Sequence, residues 1–174
     1  MSMEYKIGLF CGLLTGVLVG VLAVALMKHK KVIDDHFDER QERARGQAFR
    51  SAFFTFAVTA MLYGALDSIV GVPCDTLAAI FICFCIAMAV FAGVCIRKEA
   101  YLSLYETPGK VMSLFGVVVV INLFVTTLYL LQGDLVQNGV LTFRVCNGAV
   151  AVLLLLVMGM YAMHIRGGQE EDAE

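Results

Sequence analysis

The chain has 174 residues, 60% of them hydrophobic and only 16% charged, and its mean hydropathy is +0.82. A soluble domain ordinarily carries about 25% charged residues, so composition excludes a water-soluble globule and points to a single integral membrane domain over residues 1–174. A net charge of −2 says little, since charge placement matters more, and no nucleic-acid partner is expected; six cysteines, five of them inside apolar runs, offer no disulfide framework.

The first apolar run, Ile7–Met27, has no charge. At ~1.5 Å per residue it reaches ~31 Å, enough to cross a ~30 Å hydrocarbon core. It is longer than the ~7–15-residue core of a cleaved signal, and Lys28-His29-Lys30-Lys31 follows it where a small-residue cleavage site would stand. It therefore reads as span one. Gly8, Gly12, Gly16 and Gly20 recur at every fourth position along it. Without Cβ atoms on that face another helix approaches closely, either within the monomer or in a homo-oligomer, and lining a pore is the third reading.

Lys28–Arg50 is the only long charged stretch, with seven Lys/Arg and five Asp/Glu. Within it Asp34, Asp35, Asp38 and Glu39 come before Arg43, Arg45 and Arg50, the order that complements a helix dipole. A helix from about residue 35 to 50 is expected, capped by Asp34 or Asp35 and running on into span two. Glu39 and Arg43 stand at i,i+4, and Glu42 and Arg45 at i,i+3. Phe37 and Phe49 suit a membrane surface. Lys28, Lys30 and Lys31 suit anionic lipid, at about 1 kcal/mol each. The expected partner- or lipid-contact residues are Lys28, Lys30, Lys31, Asp38, Glu39, Arg40, Arg43 and Arg45. Asp35 and Glu39 share a helical face, but no second cluster completes a metal site, so none is expected.

Span two covers about 51–70, and Gly71-Val72-Pro73-Cys74-Asp75 turns the chain. Span three covers about 76–96, followed by a polar loop over 97–110. Span four is 111–131, and Gln132–Gly139 is a turn broken by Gly133 and Asn138-Gly139. Span five is about 141–164, and 167–174 is an acidic tail expected to be disordered. Cys83 and Cys85, two apart on one helix, point ~200° from each other and read as core. Asn122, alone near the middle of span four, reads as an interhelix hydrogen bond.

Eleven Lys and Arg fall on one side of this arrangement, and two, Lys6 and Arg144, on the other. By the positive-inside rule the fold class expected is all-α integral membrane, with five transmembrane helices, the N-terminus outside and the C-terminus cytoplasmic. Asp67 and Arg144 then sit at similar depth about one turn below the outer surface, where an ion pair between them would offset their desolvation. Asp134 competes for Arg144.

Asp38-Glu39-Arg40-Gln41, then Arg43-Ala44-Arg45-Gly46 and the aromatic span start Phe49, Phe53 and Phe54, resemble an uncharacterised group of small bacterial multi-pass membrane proteins. In that group a DERQ-type stretch precedes a transmembrane helix. The resemblance implies a bacterial inner (cell) membrane protein and supplies no catalytic residues.

No nucleophile–base pair or phosphate loop can be assembled, and neither mid-depth charges nor interrupted helices mark a transport path. The function expected is a non-enzymatic membrane scaffold or accessory subunit. It needs no cofactor, is embedded in the bilayer, and contacts a protein partner or lipid through the charged helix. The alternative is a small transporter or channel component that oligomerises on the glycine face of span one.

Overall fold

In the computed structural model the described residues are 37–103, 107–171 and, near the N-terminus, Thr15, Leu18, Val19, Val21, Leu22 and Leu26. The chain divides into two units, Met1–His36 and Phe37–Glu174. In the first unit the described residues are helical and exposed. The glycines expected to pack there, Gly8, Gly12, Gly16 and Gly20, lie outside the described residues, as do Lys28, Lys30 and Lys31.

The second unit contains α1 (Glu39–Val70), α2 (Thr76–Arg97), α3 (Pro108–Leu131) and α4 (Cys146–Glu171). Each of the four supplies a helical stretch long and apolar enough to cross a membrane. A two-stranded hairpin, β1 (Val136–Gln137) and β2 (Val140–Leu141), and a single 3-10 turn at Phe143–Val145 join α3 to α4.

α1 is one unbroken helix of 32 residues, about 48 Å at ~1.5 Å per residue, against a hydrocarbon core of ~30 Å. Its charged first turns therefore extend the helix beyond any membrane depth that its apolar part fills. Its start differs from expectation. The cap is Asp38 rather than Asp34 or Asp35: the Asp38 carboxylate accepts from the Gln41 amide at 2.6 Å, and the Gln41 side chain accepts in return from the Asp38 amide at 3.4 Å. This reciprocal box satisfies two donors that a helix start otherwise leaves open.

α1 packs on α2, α2 on α4, and α4 on α3. These main contacts order the helices side by side as α1, α2, α4, α3. α2 is the most enclosed, with 44% of its most apolar window buried against none of α1's. Small side chains build these contacts. Ala44, Ala48 and Ala52, at every fourth position of α1, are buried, as are Ala92 and Cys95 on α2. Small residues let backbones approach where lipid supplies no hydrophobic drive between helices. Ala92, Ile96 and Val157 form the core between α2 and α4, with Tyr101, Leu153 and Met160 against it. Cys83 and Cys85 are both buried.

α4 extends through Glu171, past residue 167, where a disordered tail is expected. Gly167 and Gly168 each cost a helix about 1 kcal/mol, but Gln169, Glu170 and Glu171 are good helix formers, and the helix continues through them.

Asn122 does not bridge helices as expected. Its side-chain amide donates to the Val118 carbonyl at 2.8 Å, one turn back on its own helix. Thr126 and Thr127 likewise return to Asn122 and Leu123. α3 buries only Val119, so it offers Asn122 little enclosed neighbouring surface, and the local carbonyl satisfies the side chain.

Candidate functional site

The charged start of α1 lies against the turn that ends α2, and side-chain hydrogen bonds and an ion pair join the two. α2 stops in a Schellman arrangement: the Glu99 amide donates to the Ile96 carbonyl at 3.0 Å and the Ala100 amide to the Cys95 carbonyl at 2.8 Å. Such a stop needs a left-handed residue, usually glycine. Here it is Glu99, with φ 55°, at a cost of about 1–2 kcal/mol for a residue with a Cβ. Ala100, which follows, is completely buried.

Three side chains of α1 hold this turn. Gln41, only 7% exposed, donates to the Glu99 carbonyl at 2.8 Å and to the Leu102 carbonyl at 3.5 Å. Arg40 pairs with the Glu99 carboxylate at 2.7 Å. Arg45 donates to the Ala100 carbonyl at 3.3 Å, and its guanidinium lies 4.1 Å from the centroid of the Phe37 ring. Lys98 donates in the other direction, to the Gln47 side-chain oxygen. The bonds from Gln41, Arg40 and Arg45 satisfy carbonyls and a carboxylate of the turn that follows α2.

The contact residues expected from sequence thus divide. Asp38 and Arg45 are engaged within the fold. Arg45 turns to Ala100 and Phe37 rather than to Glu42, because the open carbonyl and the ring lie on its side. Arg40 is exposed but paired. Glu39 and Arg43 face outward, 3.7 Å apart, with side chains 91% and 82% exposed. Phe37 lies under Arg45, while Phe49 packs tilted on Phe91 at 4.7 Å between centroids and stays largely exposed. Glu39, Arg40, Arg43, Ala44, Gln47 and Lys98 line a depression of about 590 Å3. Three of its six lining residues are cationic and one is anionic.

Gln41 is the residue that reading by charge passes over. Its signal was present in the sequence: Asp38-x-x-Gln41 is a capping-box spacing, and a box fixes where the Gln side chain points.

At the opposite end the hairpin closes on the α1–α2 turn. Asn138 (φ 52°) and Gly139 (φ 79°) make a two-residue turn of the type that matches strand twist. The Leu141 amide donates to the Pro73 carbonyl at 2.9 Å, and the Asp75 amide to the Leu141 carbonyl at 2.8 Å. Asp75 also caps α2 through the amides of Leu77 and Ala78. Gly71, with φ 70°, ends α1 and bonds back to the Asp67 carbonyl.

The expected pair of Asp67 and Arg144 does not form. Arg144 pairs with Asp134 and lies 5.0 Å from the Tyr129 ring centroid, while the Asp67 carboxylate accepts from the Val72 amide at 3.0 Å. Depth alone made Asp67 a partner; the hairpin brings Asp134 closer. Among the described residues no group of three or more His, Cys, Asp or Glu is arranged to hold a metal ion.

No protein-family model, curated protein or solved structure matches this chain.

Proposed function

We propose that the chain is a non-enzymatic membrane scaffold or accessory subunit. In this reading it crosses a bacterial inner membrane five times, with the N-terminus outside, and uses the first turns of α1 to hold an acidic surface of a cytoplasmic protein. The observation that supports it most is the Gln41 contact. A helix start bonded at three points to the end of α2 is a rigid mount, and Arg43, Glu39 and Lys98 stand on its open side. Preorganised side chains lose less entropy on binding than mobile ones.

The test is a photo-crosslinking side chain placed at Gln47, beside this depression, in native membranes, with Arg43→Glu and Lys98→Glu as the paired charge reversal. A discrete protein adduct that the reversal abolishes, while thermal stability in detergent is retained, is the expected result. Recovery of lipid adducts alone, or of the same protein adduct from the reversed chain, would refute the reading.

A further inference from the structure

Between α2 and α4 runs a groove of about 1040 Å3, at the upper end of the size of ligand sites, which run from about 300 to 1,000 Å3. Small residues of both helices, Gly93 and Gly148, are among its lining. Gly93 lies so close to α4 that a Cβ would meet the Met160 sulfur at 3.2 Å, and Gly148 contributes from the other helix. Between these low points Ile86 and Leu156 line the groove with apolar surface, and both are exposed. From Ile82 to Arg97 it follows α2 for about 22 Å, more than the ~15 Å of hydrocarbon in one leaflet of a ~30 Å core.

The two ends of the groove differ. At the hairpin end its lining is Ile82 and Val145; at the other end it is Arg97 and His164. Both of these side chains are exposed. Arg97 uses its Nε to donate to the Gly93 carbonyl at 3.3 Å. Among the described residues it joins no ion pair, and the nearby Glu99 carboxylate is held by Arg40. The terminal nitrogens of Arg97 thus remain available as charge-assisted donors in the fork geometry that suits a phosphate. An apolar channel longer than one leaflet, ending in a guanidinium without an ion-pair partner among the described residues and an imidazole, complements one kind of molecule: an amphiphile with a long hydrocarbon chain and an anionic head.

We propose that the α2–α4 groove binds an anionic phospholipid, one acyl chain lying along the apolar lining and the phosphate meeting Arg97 and His164. The proposal rests on reading these helices as membrane spans, but not on any contact made by the start of α1. The acyl chain replaces loose contacts with bulk lipid by contacts along both helices. The phosphate supplies the counter-charge that Arg97 lacks among the described residues. A zwitterionic lipid presents the same phosphodiester, but its own ammonium cancels the net charge that would answer Arg97, so the preference for a net anionic head comes from Arg97.

The test uses delipidated full-length protein in detergent, titrated with phosphatidylglycerol or phosphatidylcholine and read by native mass spectrometry. One phosphatidylglycerol should be retained at about fivefold lower lipid concentration than phosphatidylcholine, as about 1 kcal/mol per basic side chain on a net anionic lipid implies. Arg97→Gln should abolish that preference and Arg97→Lys should keep part of it. Independently, a photo-crosslinking side chain at Val152, in a chain that retains Arg97, should yield a lipid adduct in membranes. Equal retention of the two lipids, or a preference that survives Arg97→Gln, overturns the proposal. So does a Val152 crosslink to residues 7–27 or to a second copy of the chain, since either would mean that protein fills the groove.

Discussion

The Arg144 guanidinium closes on the Asp134 carboxylate beside the ring of Tyr129, and the hairpin that separates the two residues in sequence joins them in space. Their side chains are 40% and 31% exposed, so solvent screens the pair, and its coupling should be about 0.5–1 kcal/mol. A double-mutant cycle of Asp134→Asn and Arg144→Gln on thermal unfolding should show that coupling. Asp67→Asn with Arg144→Gln should be additive within about 0.5 kcal/mol, as for residues that share no contact. Coupling in the second cycle and none in the first would reverse the assignment.

At the other end, two substitutions in the same contact should act in opposite directions. Gln41→Ala leaves the Glu99 and Leu102 carbonyls without their buried donor and opens the capping box. Losing such a partner costs about 1–3 kcal/mol, and the melting temperature should fall accordingly. Glu99→Gly removes the exposed Arg40 pair, worth about 0.2–1 kcal/mol, but relieves a left-handed backbone that costs about 1–2 kcal/mol. The relief is the larger effect, so Glu99→Gly should be neutral to stabilising. A large loss of stability in Glu99→Gly would mean that the ion pair outweighs the backbone strain.

The four apolar helices were readable because each is a long run with few charges, bounded by Gly, Pro or a charged residue; Thr76–Arg97 falls almost where hydropathy puts it. The fifth expected span turns on Ile7–Met27, most of which lies outside the described residues. Asn138-Gly139 signalled a turn, and with Val136 and Val140 on either side it also signalled a hairpin. Once that hairpin is drawn, Asp134 rather than Asp67 is the neighbour of Arg144. The Ala44-Ala48-Ala52 row was equally visible, but the glycines of span one are the stronger small-residue signal and drew the packing argument. The Gln41 contact was half legible. Its capping box is local, but its partner carbonyls belong to a turn more than fifty residues away, and nothing in a single sequence pairs the two.

Close approach of α2 and α4 gives a prediction with an internal control. Among the described residues an added Cβ at Gly93 would crowd the sulfur of Met160 alone and touch its methyl carbon at ordinary contact, and a thioether side chain adapts readily. Gly93→Ala should therefore change stability little. Gly93→Leu cannot be absorbed by one flexible neighbour and should cost about 1–3 kcal/mol, as overpacking does. Gly64→Leu, at a helical glycine where nothing among the described residues lies within 4 Å of an added Cβ, should be nearly silent. Equal effects of the two leucines in a detergent melting experiment would mean that α2 and α4 are not packed through Gly93.

Cys74 provides the last prediction, on pH and orientation together. It is half-buried in the α1–α2 turn, while the other described cysteines are buried, so a maleimide applied to the folded protein should find it first. Partial burial pushes its thiol pKa up, and the adjacent Asp75 carboxylate pushes it further in the same direction. The reactive form is the thiolate. A raised pKa means less thiolate at neutral pH, so labelling should be slower than for a free thiol and its rate should climb at higher pH. Asp75→Asn removes the negative neighbour but keeps a side chain that caps a helix about as well. Labelling of that variant should be faster at neutral pH, and its rate profile should shift toward lower pH with the fold intact. A profile that does not move would mean that the Asp75 charge is not felt at the thiol. With a membrane-impermeant maleimide on intact cells, Cys74 should react, whereas a Gly168→Cys chain lacking Cys74 should stay protected until the membrane is opened. The reverse pattern would place the hairpin end inside and overturn the proposed orientation, along with the cytoplasmic assignment of the α1 start.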